Sequence, residues 1–569
     1  MFLKFRLSKN SIDKWLGLAA LLAVCLWPLF FIQHGIDELD SAYYLSNFRY
    51  FFKPNMAPTI STELSFLLGG ILYKFSPIAT FFTFRVLDWL CNCAIFVLLY
   101  QMLKKYMPHT WLCFSMLVGS FLIRRYPMML GYNSFAFLFF ILAIFLLHKG
   151  ILQQSIRYTF AAGIVTGFNV FTRLPNALQA SLVFLPLLYA LANKDFQKQA
   201  LRHSLYFTLA GFIGLFVGIG LTIALEGWQA FVEGIAIILH IGKQGSHAPS
   251  SMLNRIWFEL SEAYYYVGFL KKQMLAAFLL PVAYAVFTYF VKHRYAKVLA
   301  QVAVMLAGVY LARLLGNNLT VNIYVYLLSF IALLTTLIAI PLFIKRNSFL
   351  FLYACTMLLF MFCVPLGTDN GIFQFCLLGA VLSSAVALYA HGFAQLGKKR
   401  FVQHLCKSMA NILLLVFILS FGKGAYSKVL FQESYNDGAY AGQTYSTQIP
   451  ALKYMKTHAY KAEALDSLYS QLTKEEYKNH KLAVLGHLPL ALCITEHEPF
   501  FAHTWVDLKV VDKQAQLQQL QNTEKLPIVL IGHFLNSPMD KQPFIDFVQS
   551  KGYETIKHQH YTLYLPPLP

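Results

Sequence analysis

Along the first 421 residues, long apolar runs alternate with short polar interruptions; after Gly422 that pattern stops. Because a helix needs roughly 20 apolar residues to cross a bilayer, the runs predict about thirteen membrane spans. They lie near residues 15–33, 79–102, 108–123, 134–147, 158–172, 177–192, 204–224, 273–291, 298–315, 322–343, 349–366, 371–390 and 409–421. Two connections, 33–78 and 226–272, are too long to be simple turns. The first holds Tyr43–Phe52 and Glu63–Phe75, stretches with apolar faces and single charges that suit helices lying in the interface. The second carries Glu233, His240, Lys243, His247, Arg255, Glu259 and Glu262. Together they are expected to frame a cleft at the membrane surface.

The tail, 422–569, has a mixed pattern. The segments Lys481–Gly486, Ile528–Gly532 and Tyr561–Leu565 predict strands, and Lys513–Gln521 and Asp540–Lys551 predict helices. The expected architecture is therefore an α-helical polytopic membrane domain, 1–421, followed by a small α/β domain, 422–569.

Composition agrees with this reading. The chain is 57% apolar and 13% charged, with a mean hydropathy of +0.54, outside the soluble globular class. Its net charge of +20 does not imply nucleic-acid binding: the tail from Gly422 balances 14 Lys against 14 acids, leaving the whole excess in the membrane part. Lys104 and Lys105, Lys149 and Arg157, and the clusters at 194–202, 292–297, 345–346 and 398–407 fall on the side of the basic start, Lys4 to Lys14. By the positive-inside rule that side is the cytoplasm, and an odd span count puts the tail outside. The start reads as an uncleaved signal anchor. Eight of nine cysteines lie in or beside apolar runs, which argues against a disulfide framework or a Cys metal site.

Charge placement then points to chemistry. Ten of the twelve acids in the membrane part, all but Asp13 and Asp195, fall at or near the outer face. Asp37, Glu38 and Asp40 sit within four positions, where mutual repulsion and a low-dielectric neighbourhood suit one of them to proton abstraction. The plainer reading makes Asp40 the N-terminal carboxylate of an interfacial helix.

Asp40-Ser-Ala-Tyr-Tyr-Leu resembles the acid-x-x-aromatic-Tyr signature in the first external loop of the GT-C superfamily, integral membrane glycosyltransferases that use polyprenyl-phosphate sugars, including the dolichyl-phosphate-mannose-protein mannosyltransferase and aminoarabinose transferase types. The catalytic Asp of that signature corresponds to Asp40 or, next, Asp37. Gly167-Phe-Asn-Val-Phe-Thr-Arg-Leu-Pro is similar to the Gly-x-x-x-x-Thr-Lys-Gly-Pro segment of the same families, with Arg173 at the basic position. An Arg at the bilayer edge is costly unless paired, and a lipid phosphate is a bidentate partner; ordinary headgroup snorkelling is the alternative. Arg85, and Arg124-Arg125 ahead of Gly131-Tyr132-Asn133-Ser134, are weaker matches. Asn133 stands where many members carry a second acid, and an amide is neither a base nor a strong cation ligand.

The resemblance implies an inverting sugar transfer from a polyprenyl-phosphate donor to an acceptor hydroxyl on the extracytoplasmic face of a plasma membrane of bacterial type. It assigns Asp40, Asp37 and Glu38 to catalysis and Arg173, Arg124, Arg125 and Arg85 to donor phosphate. Tyr43, Tyr44, Tyr132, Asn133, His240 and Lys243 are the expected substrate contacts. No metal ligand set is expected; a divalent cation is compatible but not indicated. The acceptor class, lipid, glycan or protein, stays open. The rival readings are a transporter or flippase of a lipid-linked glycan and a non-catalytic scaffold.

Overall fold

The computed structural model describes residues 9–53, 56, 60–76, 80–120, 129–241, 249–318, 321–364, 379–395, 400–424, 440–507, 511–533 and 540–567. Helix α1 (Lys9–Leu26) runs into a 3-10 turn, Trp27–Phe31, and the first long connection then forms two helices, α2 (Asp40–Tyr50) and α3 (Glu63–Phe75). The bundle continues with α4 (Phe81–Leu103), α5 (His109–Ser120), α6 (Tyr132–Leu152) and α7 (Ile156–Asn169). A 3-10 stretch, Leu174–Phe184, leads into α8 (Leu185–Ala192), followed by α9 (Gln197–Glu226), α10 (Trp228–Ile241), α11 (Pro249–Phe269) and α12 (Lys271–Phe290). The last helices of the bundle are α13 (Arg294–Asn318), α14 (Val321–Phe343), α15 (Ser348–Cys363), α16 (Gly379–Phe393) and α17 (Arg400–Gly424).

Among the described residues, seven helices are long and apolar enough to cross a membrane, and four shorter apolar helices accompany them. The expectation of about thirteen spans is thus met only in part. A helix of 14 residues such as α7 rises roughly 21 Å at 1.5 Å per residue, short of a hydrocarbon core about 30 Å thick. The predicted span 158–172 corresponds to this helix, which packs between α6 and α9. Close packing explains how: a Cβ on Gly167 would lie 2.0 Å from the Gly211 carbonyl oxygen, so α7 and α9 approach backbone to backbone.

The tail forms a four-stranded sheet in the order β1-β2-β4-β3, where β1 is Leu482–Leu485, β2 Ile528–Gly532, β3 Glu554–His558 and β4 Tyr561–Leu565. Strands β1 and β2 pair in parallel; β4 is antiparallel to β2 and β3. The three expected strands and both expected helices, now α20 (Lys513–Gln521) and α21 (Gln542–Ser550), are present. Edge strand β3 went unseen because it is largely exposed and polar, without the apolar alternation that marks a half-buried strand. Helix α18 (Ala459–Leu472) and the short α19 (Leu490–Ile494) complete the domain.

Alternate residues divide the sheet into two faces. Ala483, Leu485, Val529 and Ile531 pack with Leu520, Phe544 and Phe547 beneath α20 and α21. Leu482, Val484, Ile528 and Leu530 share one apolar core with Leu465 and Leu468 of α18 and with Ile36, Leu45, Phe48 and Phe84. The tail is therefore not a detached module: its second core contains the first long connection.

Candidate functional site

Helix α2 is a wedge between the tail and the bundle, and its period of 3.6 residues assigns each face a partner. On the tail side, Ser46 Oγ meets Cys493 Sγ at 3.0 Å, and the Tyr50 hydroxyl donates to the His497 carbonyl at 2.8 Å. The Arg49 guanidinium donates to the carbonyls of Leu492, Cys493 and Thr495 at 3.1, 3.3 and 2.5 Å, satisfying the C-terminal end of α19. On the bundle side, Phe48 packs against Phe66 and Phe84. Tyr44 lies on Gly131, where a Cβ would sit 2.6 Å from its ring.

The three acids at the start of this wedge separate into three roles. Asp37 is 2% exposed and its carboxylate accepts from the backbone N–H groups of Ser41 at 2.7 Å and Leu39 at 3.2 Å, so it caps α2. Glu38, equally buried, pairs with Lys461 Nζ of α18 at 2.8 Å, and the same ammonium donates to the Ile36 carbonyl at 3.1 Å. Burial pushes the Glu38 carboxyl up to about 7, with Lys461 opposing and Asp37 adding to the rise. Asp40 opens the helix with its side chain partly exposed and close enough to Tyr43 to raise that phenol electrostatically, after the larger effects of burial and Tyr132. Of the three, Asp40 is the carboxylate that acts electrostatically on Tyr43 of the aromatic cluster.

That cluster joins the two resembling motifs. Tyr43 and Tyr44 have ring centroids 6.0 Å apart, and Tyr44 meets Tyr132 edge to face at 5.2 Å. The Gly131-Tyr-Asn-Ser turn is used completely: Gly131 receives Tyr44, Tyr132 meets that ring edge to face, Asn133 Oδ1 accepts from Arg173 at 3.5 Å, and Ser134 Oγ donates to Asp88 at 2.5 Å. Arg173 is 6% exposed, donates to the Val364 carbonyl at 2.9 Å, and interacts electrostatically with Tyr132 and Tyr44. The backbone around it is clamped to α3 through Leu64 N–H to Phe171 O and Leu174 N–H to Ser61 O, both 2.9 Å. A buried guanidinium and a helix-opening carboxylate thus border one group of three tyrosines.

Arg85 is committed to the backbone. Its guanidinium donates to the carbonyls of Ile32, His34 and Gly35 at 3.2, 2.6 and 2.5 Å, holding the chain just before Asp37. Its proximity to the site is structural, and a phosphate would have to displace these bonds. Arg124, Arg125 and Lys243 lie outside the described residues, as does the side chain of His240, whose backbone belongs to α10.

Sequence reasoning missed the tail's contribution. Trp505 packs edge to face on Tyr43 at 5.7 Å and donates from Nε1 to His487 Nδ1 at 3.2 Å; Thr504 Oγ1 accepts from Asn47 at 3.0 Å. Lys461, Thr504 and Trp505 lie more than 400 positions from Glu38, Asn47 and Tyr43, and no local pattern announces such pairing. Among the described residues no group of three or more His, Cys, Asp or Glu could hold a metal ion. No family model matches the chain, and no curated protein matches it.

Proposed function

We propose that the protein is an integral membrane glycosyltransferase that moves a sugar from a polyprenyl-phosphate donor to an acceptor hydroxyl at the outer face. The observation that carries this reading is the meeting of Asp40 and Arg173 around Tyr43, Tyr44 and Tyr132. Helix α6 starts at this cluster with Tyr132 and carries Lys149 in its last turn, which supports a site at the end of the helix opposite that basic residue. Under the positive-inside rule that end is extracytoplasmic.

Asp40 takes the proton of the acceptor hydroxyl as its oxygen attacks the anomeric carbon. The bond from that carbon to the phosphate oxygen breaks, its electron pair leaves on the polyprenyl phosphate, and the configuration inverts. Arg173 stabilises the developing phosphate charge, and its clamped backbone keeps that stabilisation preorganised. Asp37 and Glu38 support Asp40 rather than share its task, because one is committed to the α2 cap and the other to Lys461. A transporter would need ionisable groups along a midplane path; His148 and His203 instead sit against Thr356 and Thr159 as buried core groups.

The test is transfer of radiolabelled sugar from a panel of polyprenyl-phosphate sugars to membrane lipid and glycan fractions, comparing wild type with Asp40→Asn, Asp37→Asn and Arg173→Ala at matched expression. Loss in Asp40→Asn with Asp37→Asn partly active is the expected result. Transfer unaffected by Asp40→Asn or Arg173→Ala would overturn the assignment.

A further inference from the structure

Helices α12, α13 and α17 pack on one another, and none of the three contains an Asp or a Glu. Their relative directions are fixed at both ends. Near the end of α12, Thr288 Oγ1 meets His404 Nε2 of the first turns of α17 at 2.8 Å, and Tyr289 packs edge to face on Phe401. At the other end, Lys423 Nζ of α17 donates to the Arg313 carbonyl of α13 at 3.5 Å. Helix α12 therefore runs antiparallel to both, and its start is level with their ends. At 1.5 Å per residue, Lys272 stands about 27 Å from Phe290, and Arg313 about 29 Å from Arg294. Both cations are thus close to one hydrocarbon thickness, about 30 Å, from the turn that joins the two helices.

That turn is basic, with Lys292, Arg294 and Lys297, as a cytoplasmic loop should be. Lys271, Lys272 and Arg313 place charge at the opposite membrane surface as well, where the rule does not ask for it. Nothing on the three helices balances it. Glu262 of α11, the helix leading into α12, is hydrogen-bonded to Tyr266. Among the described residues, neither Lys272 nor Arg313 is in an ion pair. Each cation also closes an exposed apolar stripe at helical spacing. On α12 the stripe is Lys272, Leu275, Leu279, Val286 and Phe290; on α13 it is Leu299, Val302, Leu306, Tyr310 and Arg313. A cation above an apolar stripe at headgroup depth is complementary to a lipid with a negative head and apolar chains.

We infer that Lys272 and Arg313 hold the phosphate of an anionic phospholipid whose chains lie along Leu275 and Leu279 of α12 and Leu306 and Tyr310 of α13. A zwitterionic lipid brings its own ammonium to the same cations and is disfavoured. The inference rests on the membrane character of these helices and is independent of the glycosyltransferase reading.

The experiment places a Trp one turn from Lys272, as Leu275→Trp in the full-length protein, reconstituted in vesicles of phosphatidylcholine and phosphatidylglycerol. The fluorescence gained over wild type is measured with bromines on the chains of one lipid or the other at equal mole fraction. The expected result is quenching that corresponds to about fivefold enrichment of phosphatidylglycerol beside the Trp, the effect of roughly one Lys or Arg next to anionic headgroups. Lys272→Gln combined with Arg313→Gln abolishes the enrichment at an unaltered melting temperature, Lys272→Arg keeps it, and Lys53→Gln, in the first connection, changes nothing. Absence of quenching by either lipid, equal quenching by both, or enrichment that survives the double substitution would overturn the inference. So would displacement of the phosphatidylglycerol by a trace of polyprenyl phosphate, which would assign the position to a lipid of the donor type. No transfer is measured, so this inference and the transferase reading fail separately.

Discussion

The two long connections, 33–78 and 226–272, look alike as sequences and end in opposite environments. The start of the first is buried, with Ile36, Asp37, Glu38, Ser41 and Ala42 all covered, although Phe52 and Phe75 near the ends of its two helices are exposed. In the second, α11 displays Trp257, Phe258, Tyr264 and Tyr265, with Trp257 75% and Tyr264 78% exposed. The difference lies in the tail, which covers one connection through α18, α19 and Trp505. Polar residues under that cover must be paired, since an unpaired buried charge is costly. Aromatic residues on the other connection suit a lipid interface, where an apolar body and a polar tip are both accommodated. A mixture of aromatics and single charges therefore does not by itself indicate a site; what matters is the surface that closes over it.

The largest expected difference between the two regions is in catalysis. Asp40→Asn should lower transfer by about 10²- to 10⁴-fold, the range for a general base, whereas Glu262→Gln in α11 should leave it unchanged at equal expression. Stability comes next. Lys461→Met strands Glu38 under the tail and should cost about 3–5 kcal/mol, read as a lower melting temperature, while Lys461→Met combined with Glu38→Gln recovers part of the loss.

The pH dependence has a definite sign. The Glu38 carboxyl is raised in the folded protein to about 7 from 4.5, so its contribution is fully present below pH 4.5 and is lost as pH rises through about 7. Melting temperatures measured from pH 4.5 to 8 should fall more steeply in wild type than in Glu38→Gln; parallel curves would show that the carboxyl does not titrate there. The smallest effects belong to exposed groups. Lys53 and Glu498 also join the first connection to the tail, at 2.8 Å, but both are more than half exposed, so Lys53→Ala should cost less than about 1 kcal/mol. Trp257→Ser should likewise change the melting temperature in detergent little.

Much of the candidate site was legible. Asp40, Tyr43, Tyr44, Tyr132, Asn133 and Arg173 stand out as polar or aromatic groups at the ends of apolar runs, and the fold gathers them. Arg85 was equally conspicuous for the same reason, yet its donors are taken up by backbone carbonyls. A basic residue at a helix start satisfies both descriptions, and local pattern does not separate them. Trp505 and Lys461 carried no signal, because each is an ordinary residue of an α/β domain until the fold brings it against Tyr43 or Glu38.

Hydrophobic run length and alternation determined that the chain is an apolar helical bundle with a small strand-containing tail, because both are local properties of a helix or a strand. They also fixed which residue types stand at the ends of those elements. Only the tertiary structure decided which carboxylate caps a helix, which one pairs with Lys461, and which one opens onto the tyrosines. The Asp37 cap is made within four positions, but the Glu38 pair spans 423, and the burial that sets the electrostatics of both exists only once the tail has closed over α2.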